Sequence, residues 1–139
     1  MTDQSAAPRI LIVEDEALVA MLVEDVAIEA GCIVTGVADR TAEALELARS
    51  DPPDLVLCDI KLAGGDSGFD VASALKNSHT ACLFLSGNPP SADVGAPMAL
   101  GCLIKPFRAD ALKDAIGIAL ALRDGARPDR LPGGMKLYR

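Results

Sequence analysis

Polar residues stand at the ends of five short apolar runs in this chain. They provide three carboxylates, one hydroxyl and one ammonium: Glu14, Asp15, Asp59, Ser86 and Lys105. In an open parallel sheet the carboxyl ends of the strands meet at one edge, where such folds bind their ligands. If the apolar runs are parallel strands, these side chains therefore share one cleft.

The residue types in this set favour phosphate chemistry. Crowded carboxylates repel one another, so they either raise their pKa values or bind a cation. Mg²⁺ prefers oxygen ligands and is commonly shared between one or two carboxylates and a phosphate. A carboxylate can attack phosphorus, and Asp59 is the best candidate because it ends the most hydrophobic run. Lys105 and Ser86 could then each contact a phosphoryl oxygen, which predicts a phosphoryl-transfer site.

Short apolar runs alternate along the chain with segments of helical periodicity. This alternation predicts the strands and helices that must position these residues. Strands are predicted at residues 9–13, 32–37, 54–59, 81–86 and around 103–104, with helical segments between them. The third run lacks polar alternation, as expected for a strand covered on both faces. This order predicts an α/β fold with a doubly wound, five-stranded parallel sheet.

Two of the predicted helices carry a distinct apolar face. On the first, over residues 16–30, we interpret one set as the buried face: Leu18, Met21, Leu22 and Val26. On the last, apolar residues recur at the i, i+3, i+4, i+7 and i+8 spacing of a buried stripe: Leu112, Ala115, Ile116, Ala119 and Leu120.

Two segments rich in Gly and Pro interrupt this regular pattern. Between Ser86 and the fifth strand they leave room for one or two helical turns, so the fourth helix should be short or disordered. Residues 124–139 offer few core candidates and are predicted to be a C-terminal tail. We therefore expect an N-terminal arm at residues 1–8 and one domain at residues 9–123.

Composition narrows the classes of function. A chain of 139 residues is long enough for one domain with a buried core. Its net charge of -7 argues against a nucleic-acid partner. The first residues lack the pattern of a signal peptide, and no apolar stretch is long enough for a membrane span. We expect a cytoplasmic protein with no membrane partner.

Together these motifs resemble the receiver domain of two-component response regulators. The resemblance rests on Glu14-Asp15, Asp59, Ser86 and Lys105-Pro106-Phe107, in this order at successive strand ends, and covers roughly residues 9–123. It implies the flavodoxin-like receiver fold, with Asp59 accepting a phosphoryl group from a histidine kinase or phosphotransferase. It also implies a signal that passes to an unidentified downstream protein through protein–protein contacts.

The resemblance also implies a role for each site residue. Asp15, Asp59 and the backbone carbonyl of Lys61 would bind Mg²⁺, with Glu14 often acting through water, while Ser86 and Lys105 would contact the phosphoryl group. Such a domain is a phosphoacceptor that dephosphorylates itself, not an enzyme acting on other substrates.

The chain departs from the receiver pattern in two places. Receivers usually carry Tyr or Phe three residues before the lysine, as a switch coupled to the hydroxyl residue, and here that position is Cys102. Residues 83–88 are similar to those of a divergent receiver subgroup in which this aromatic switch is lost. The resemblance therefore does not identify the surface through which this protein signals.

Two alternative functions remain. A small Mg²⁺-dependent phosphatase with an aspartyl-phosphate intermediate usually needs a second aspartate two residues after the nucleophile, where this chain has Lys61. A degenerate interaction module is disfavoured because Asp15, Asp59 and Lys105 are all present. We predict a stand-alone receiver domain, because the chain is too short for an appended output domain.

Overall fold

The apolar runs form the strands of one twisted sheet. The computed structural model describes residues 7–138, so most of the predicted N-terminal arm lies outside the described residues. The strands are β1 (Arg9–Val13), β2 (Ile33–Ala38), β3 (Leu55–Asp59), β4 (Ala81–Ser86), β5 (Gly101–Ile104) and β6 (Met135–Leu137). Their order is β2-β1-β3-β4-β5-β6, in which the first five are parallel and β6 is antiparallel to β5.

Helices cover both faces of this sheet, which confirms the predicted doubly wound α/β fold. They are α1 (Ala17–Glu29), α2 (Thr41–Ser50), α3 (Gly68–Leu75), α4 (Ala92–Gly95) and α5 (Ala109–Arg123). In β1, Ile10 and Ile12 pack on the side of α1 and α5, whereas Leu11 and Val13 pack on the side of α2 and α3. A strand buried on both faces has no solvent side, which is why the central runs lack polar alternation.

The fourth and fifth helices match the sequence prediction. The fourth helix, α4, is four residues long, because Gly and Pro interrupt the segment around it. In α5 the predicted stripe faces the core, with Leu112, Ala115, Ile116 and Ala119 buried. Among the residues that the structure describes, no helix is both long and apolar enough to cross a membrane.

The predicted buried face of α1 is wrong at three of its four residues, and only Val26 is buried as predicted. Leu18 is 81% exposed, Met21 58% and Leu22 39%. The buried residues of this helix are Ala20, Val23, Val26 and Ala27. Both faces of α1 are apolar, so the helical period alone could not select the one that packs on the sheet. The helix therefore presents large apolar side chains to solvent.

The predicted C-terminal tail also needs correction. Residues Met135–Leu137 form a sixth strand on the open edge of β5, and the side chains of Met135 and Tyr138 are buried. The prediction missed this strand because it is three residues long and follows a segment rich in Gly and Pro. So short a run gives almost no periodic signal.

Helix α3 begins against the end of β3. Ser67 caps the helix by accepting a hydrogen bond from the Phe69 N–H at 3.1 Å. The Gly68 N–H donates to the Ile60 carbonyl at 2.7 Å. A Cβ on Gly68 would lie 2.1 Å from the Asp59 carbonyl oxygen. Only glycine permits this close approach, which fixes the backbone that carries Asp59.

We predict opposite effects for alanine at two helical glycines. Gly68→Ala should lower the free energy of unfolding by about 2–3 kcal/mol, because its Cβ meets rigid backbone rather than a movable side chain. Gly117→Ala, at an exposed position of α5 with no atom within 4 Å of the added Cβ, should raise the stability by about 0.5–1 kcal/mol. Urea unfolding of both variants measures this. Equal stability of the two variants would contradict the close-packing argument.

Candidate functional site

Four of the five predicted side chains meet at the carboxyl edge of the sheet. Glu14 and Asp15 directly follow β1, Asp59 ends β3 and Lys105 follows β5. The Lys105 Nζ lies 2.9 Å from Glu14 Oε1 and 3.1 Å from Asp59 Oδ2. One carboxylate oxygen from each of Glu14, Asp15 and Asp59 lies within 4.8 Å of the others. One ammonium therefore faces a cluster of three carboxylates.

This cluster is shielded from water on its inner side. The side chain of Glu14 is fully buried, and those of Asp59 and Lys105 are 11% and 18% exposed. Asp15 is exposed at the mouth of the site. The cluster is therefore open to a ligand on the Asp15 side and closed below by Glu14.

Burial and charge act against each other on these groups. Burial raises the pKa of Glu14 to about 7, although hydrogen bonds from Lys105 and from the Glu16 N–H favour its ionised form. Burial alone would lower the pKa of Lys105, but the hydrogen bonds and charges of Glu14 and Asp59 outweigh it and raise that pKa. Lys105 therefore stays charged, whereas burial, with a smaller contribution from the charge of Asp59, disfavours the ionised form of Glu14.

The Asp59 carboxylate is oriented through both of its oxygens. Oδ1 accepts hydrogen bonds from the Ile60 N–H at 2.7 Å and the Lys61 N–H at 3.4 Å, while Oδ2 faces Lys105. The chain after Asp59 is fixed in turn by an isolated antiparallel bridge between Lys61 and Ser67. The backbone of Lys61 therefore lies beside the carboxylate, and its side chain is exposed.

Ser86 adjoins the cluster, but its hydroxyl contacts its own loop. It is buried at the end of β4, and its carbonyl accepts a hydrogen bond from the Lys105 N–H at 3.0 Å. Its Oγ accepts a hydrogen bond from the Asn88 N–H at 3.0 Å. Ser86 also lines a cleft with Lys61 and Phe69. The backbone thus joins Ser86 to Lys105, while the hydroxyl holds the loop that follows β4.

Sequence reasoning missed one contributor, Glu16. Its carboxylate lies 3.7 Å from Lys105 Nζ, and its N–H donates to Glu14 Oε2 at 3.2 Å. The sequence offered one indication that Glu16 belongs to the site, which is its position after Glu14 and Asp15 in the same short loop. Glu16 adds an exposed negative charge to the rim of the site.

This arrangement has the chemical properties of a cation and phosphate site. Three carboxylates within one small volume offer the oxygen ligands that a hard divalent ion prefers. Asp59 presents an oriented carboxylate, and Lys105 supplies a fixed positive charge next to it. Oriented charges of this kind stabilise a transferring phosphoryl group.

Comparison with known proteins gives a consistent result. The family model for the response regulator receiver domain matches residues 10–117. The chain is 37% identical over 124 residues to the phyllosphere-induced regulator PhyR of Methylorubrum extorquens, covering 87% of this chain and 46% of PhyR. It is 30% identical to the chemotaxis protein CheY of Bacillus subtilis, covering 82% of this chain and 98% of CheY. The chain thus spans about half the length of PhyR and nearly all of CheY.

A solved structure with the same architecture supports this similarity. The solution structure of the receiver domain of PhyR from Erythrobacter litoralis superposes with a TM-score of 0.75 at 26% sequence identity. That match covers 91% of this chain and 99% of the solved domain. The similarity therefore extends over nearly the whole described fold.

Proposed function

This chain belongs to the response regulator receiver domain family, and we propose that phosphorylation of Asp59 switches its protein contacts. In this proposal the protein is cytoplasmic, its donor is a histidine kinase or phosphotransferase, the transfer requires Mg²⁺, and the signal passes to a downstream protein. Lys105 Nζ bridges Glu14 and Asp59 at 2.9 and 3.1 Å, and this is the observation that carries the proposal. Such a domain acts in signalling rather than in catalysis on other substrates.

The carboxylate cluster fits the metal that this transfer needs. Glu14, Asp15 and Asp59 offer oxygens close enough to share one ion, and we assign the Lys61 backbone carbonyl to the same site. Mg²⁺ bound there would join carboxylate and phosphoryl oxygens and offset their negative charge. Because Asp15 is the exposed member, the ion and the donor approach from its side.

Each remaining residue has a defined part in the transfer. An Asp59 carboxylate oxygen forms a bond to phosphorus as the bond between phosphorus and the donor imidazole breaks, and the imidazole nitrogen keeps the electron pair. Lys105 then contacts one phosphoryl oxygen, and Ser86 donates to another after its hydroxyl turns away from Asn88. The phosphatase alternative gains no support, since Lys61 stands where that mechanism needs an acid/base aspartate.

The labelling of Asp59 tests this function directly. We expect acetyl phosphate to add one phosphoryl group to the wild-type protein in the presence of Mg²⁺, and none in the presence of EDTA. Asp59→Asn should remain unlabelled, because an amide cannot act as the nucleophile. Intact-mass spectrometry measures the product.

The matched control for this experiment is Asp70→Asn. Asp70 is an exposed aspartate in the first turn of α3, outside the carboxylate cluster. This variant should be labelled like the wild-type protein. Equal labelling of Asp59→Asn and wild type, or labelling that persists in EDTA, would contradict the proposed function.

The exposed face of α1 suits the docking of the protein donor. Asp59 is recessed, so a donor must contact the surface around the mouth of the site. Leu18, Met21 and Leu22 are exposed on the first turns of α1, immediately after Asp15. Met21 and Val37 also line a groove that reaches Asp15. We assign this apolar surface to the phosphodonor, because a large exposed apolar patch marks a protein contact.

A charge placed on this patch should slow transfer from a protein donor and leave labelling by a small-molecule donor unchanged. In Leu18→Glu we expect transfer from a histidine kinase that phosphorylates the wild-type protein to fall at least about tenfold, a change of about 1.4 kcal/mol. Labelling by acetyl phosphate should be unchanged, since a small donor needs no docking surface. Ile28→Glu is the control, because Ile28 is exposed near the other end of α1. An equal fall with both donors would place the effect in the site rather than in docking.

A further inference from the structure

Two glycines leave room for the C-terminal strand β6 and the residue that follows it. A Cβ on Gly101 of β5 would lie 2.3 Å from the Lys136 carbonyl oxygen, and a Cβ on Gly95 of α4 would lie 2.4 Å from Tyr138 Cε2. The first glycine lets β6 approach β5, and the second makes room for the Tyr138 ring. The surface beneath β6 is therefore shaped for an extended strand that carries an aromatic residue.

Tyr138 connects three parts of this region. Its N–H donates to the Leu100 carbonyl at 3.0 Å, which extends the pairing of β6 with β5. Its ring is buried in the cluster that includes Phe84 and Cys102, and burial raises the pKa of its phenol to about 12. Its hydroxyl donates to the Pro90 carbonyl at 3.2 Å. One side chain thus holds β6, α4 and the loop between β4 and α4.

That loop begins at Ser86. The Ser86 hydroxyl holds the loop at one end through the Asn88 N–H, and Tyr138 holds it at the other end through Pro90. Pro89 lies between these two contacts, and the rings of Pro89 and Pro90 fix φ and stiffen the connection. Turning the Ser86 hydroxyl toward a phosphoryl group on Asp59 disturbs its contact with Asn88. A stiff loop transmits that displacement to Pro90.

β6 is held by its pairing with β5 and by the buried side chains of Met135 and Tyr138, but it is a short element. It is a three-residue strand at the edge of the sheet, and Gly133 and Gly134 precede it. Elements with few buried contacts open at low free-energy cost. Loss of the contact between Tyr138 and Pro90 therefore lowers the free energy needed to open β6.

We propose that Tyr138 couples the state of Asp59 to β6: phosphorylation weakens the contact between Tyr138 and Pro90, β6 leaves β5, and the exposed edge binds a partner strand. The inference rests on the proposed phosphorylation of Asp59 and adds the surface through which the signal leaves. The partner is an extended segment that pairs antiparallel with β5 and places an aromatic side chain against Gly95. An open strand edge is a ready template for such pairing.

Tyr138 provides its own probe, because it is the only tyrosine in a chain that has no tryptophan. Beryllofluoride with Mg²⁺ serves as the phosphoryl mimic, and fluorine NMR reports its binding. We expect the mimic to increase acrylamide quenching of the tyrosine emission. We also expect it to speed amide exchange at residues 135–138 and 101–104 by at least about fivefold.

Two variants separate coupling from simple packing. Tyr138→Phe keeps the ring and removes the bond to Pro90, so exchange in β6 of the free protein should rise about fivefold, and the response to the mimic should disappear. Lys136→Arg is the matched control on the same strand, because it keeps the cation that lies 6.0 Å from the centre of the Tyr138 ring, and it should behave like the wild-type protein. An undiminished response in Tyr138→Phe would overturn the coupling.

The partner strand is tested with a synthetic peptide of residues 133–139. It should bind at least about tenfold more tightly to the protein with Mg²⁺ and beryllofluoride than to the free protein, whereas the same peptide with Tyr138→Ala should bind weakly to both. Equal binding to the two states would overturn the proposed docking edge.

The outcomes also distinguish this inference from the proposed function. Bound beryllofluoride with unchanged exchange in β6 and β5 would overturn the inference and leave the phosphorylation of Asp59 in place. Absence of a bound fluoride signal in wild type would overturn both.

Discussion

One ammonium group between two carboxylates organises the functional end of this protein. Lys105 lies 91 residues from Glu14 and 46 residues from Asp59 along the chain. These groups meet only if β1, β3 and β5 end at the same edge in the correct register. Glu14 has no access to solvent. Its ionised form therefore depends on pairing with Lys105. The site and the sheet therefore depend on the same geometry.

The central strands of the sheet are rigid, whereas the elements around its edge have more freedom to move. The central strands are buried on both faces, and Gly68 packs directly on the backbone of Asp59, so Asp59 has little freedom to move. The loop after Ser86, the short α4 and β6 have fewer buried contacts and are linked to one another through Tyr138. In our proposal, a change of charge at Asp59 is transferred through these contacts to the part of the fold that can move.

The sequence predicted the site better than the surfaces around it. The sequence placed Asp59, Ser86 and Lys105 at one edge because a polar residue that ends an apolar run is a local pattern, and parallel strands bring such residues to a common edge. The buried face of α1 was predicted wrongly because Leu18 and Val23 lie on opposite apolar faces, and only packing distinguishes them. The contact of Tyr138 with Pro90 joins residues 48 positions apart, and no local sequence pattern predicts it.

The claim that one carboxylate cluster holds both the metal and the phosphoryl group is tested most directly by a crystal structure of the protein with Mn²⁺ and beryllofluoride. We predict an anomalous Mn²⁺ peak among Glu14, Asp15 and Asp59. We also predict beryllofluoride bound to the Asp59 carboxylate and in contact with Lys105. A Mn²⁺ peak at another place, or beryllofluoride bound away from Asp59, would contradict it.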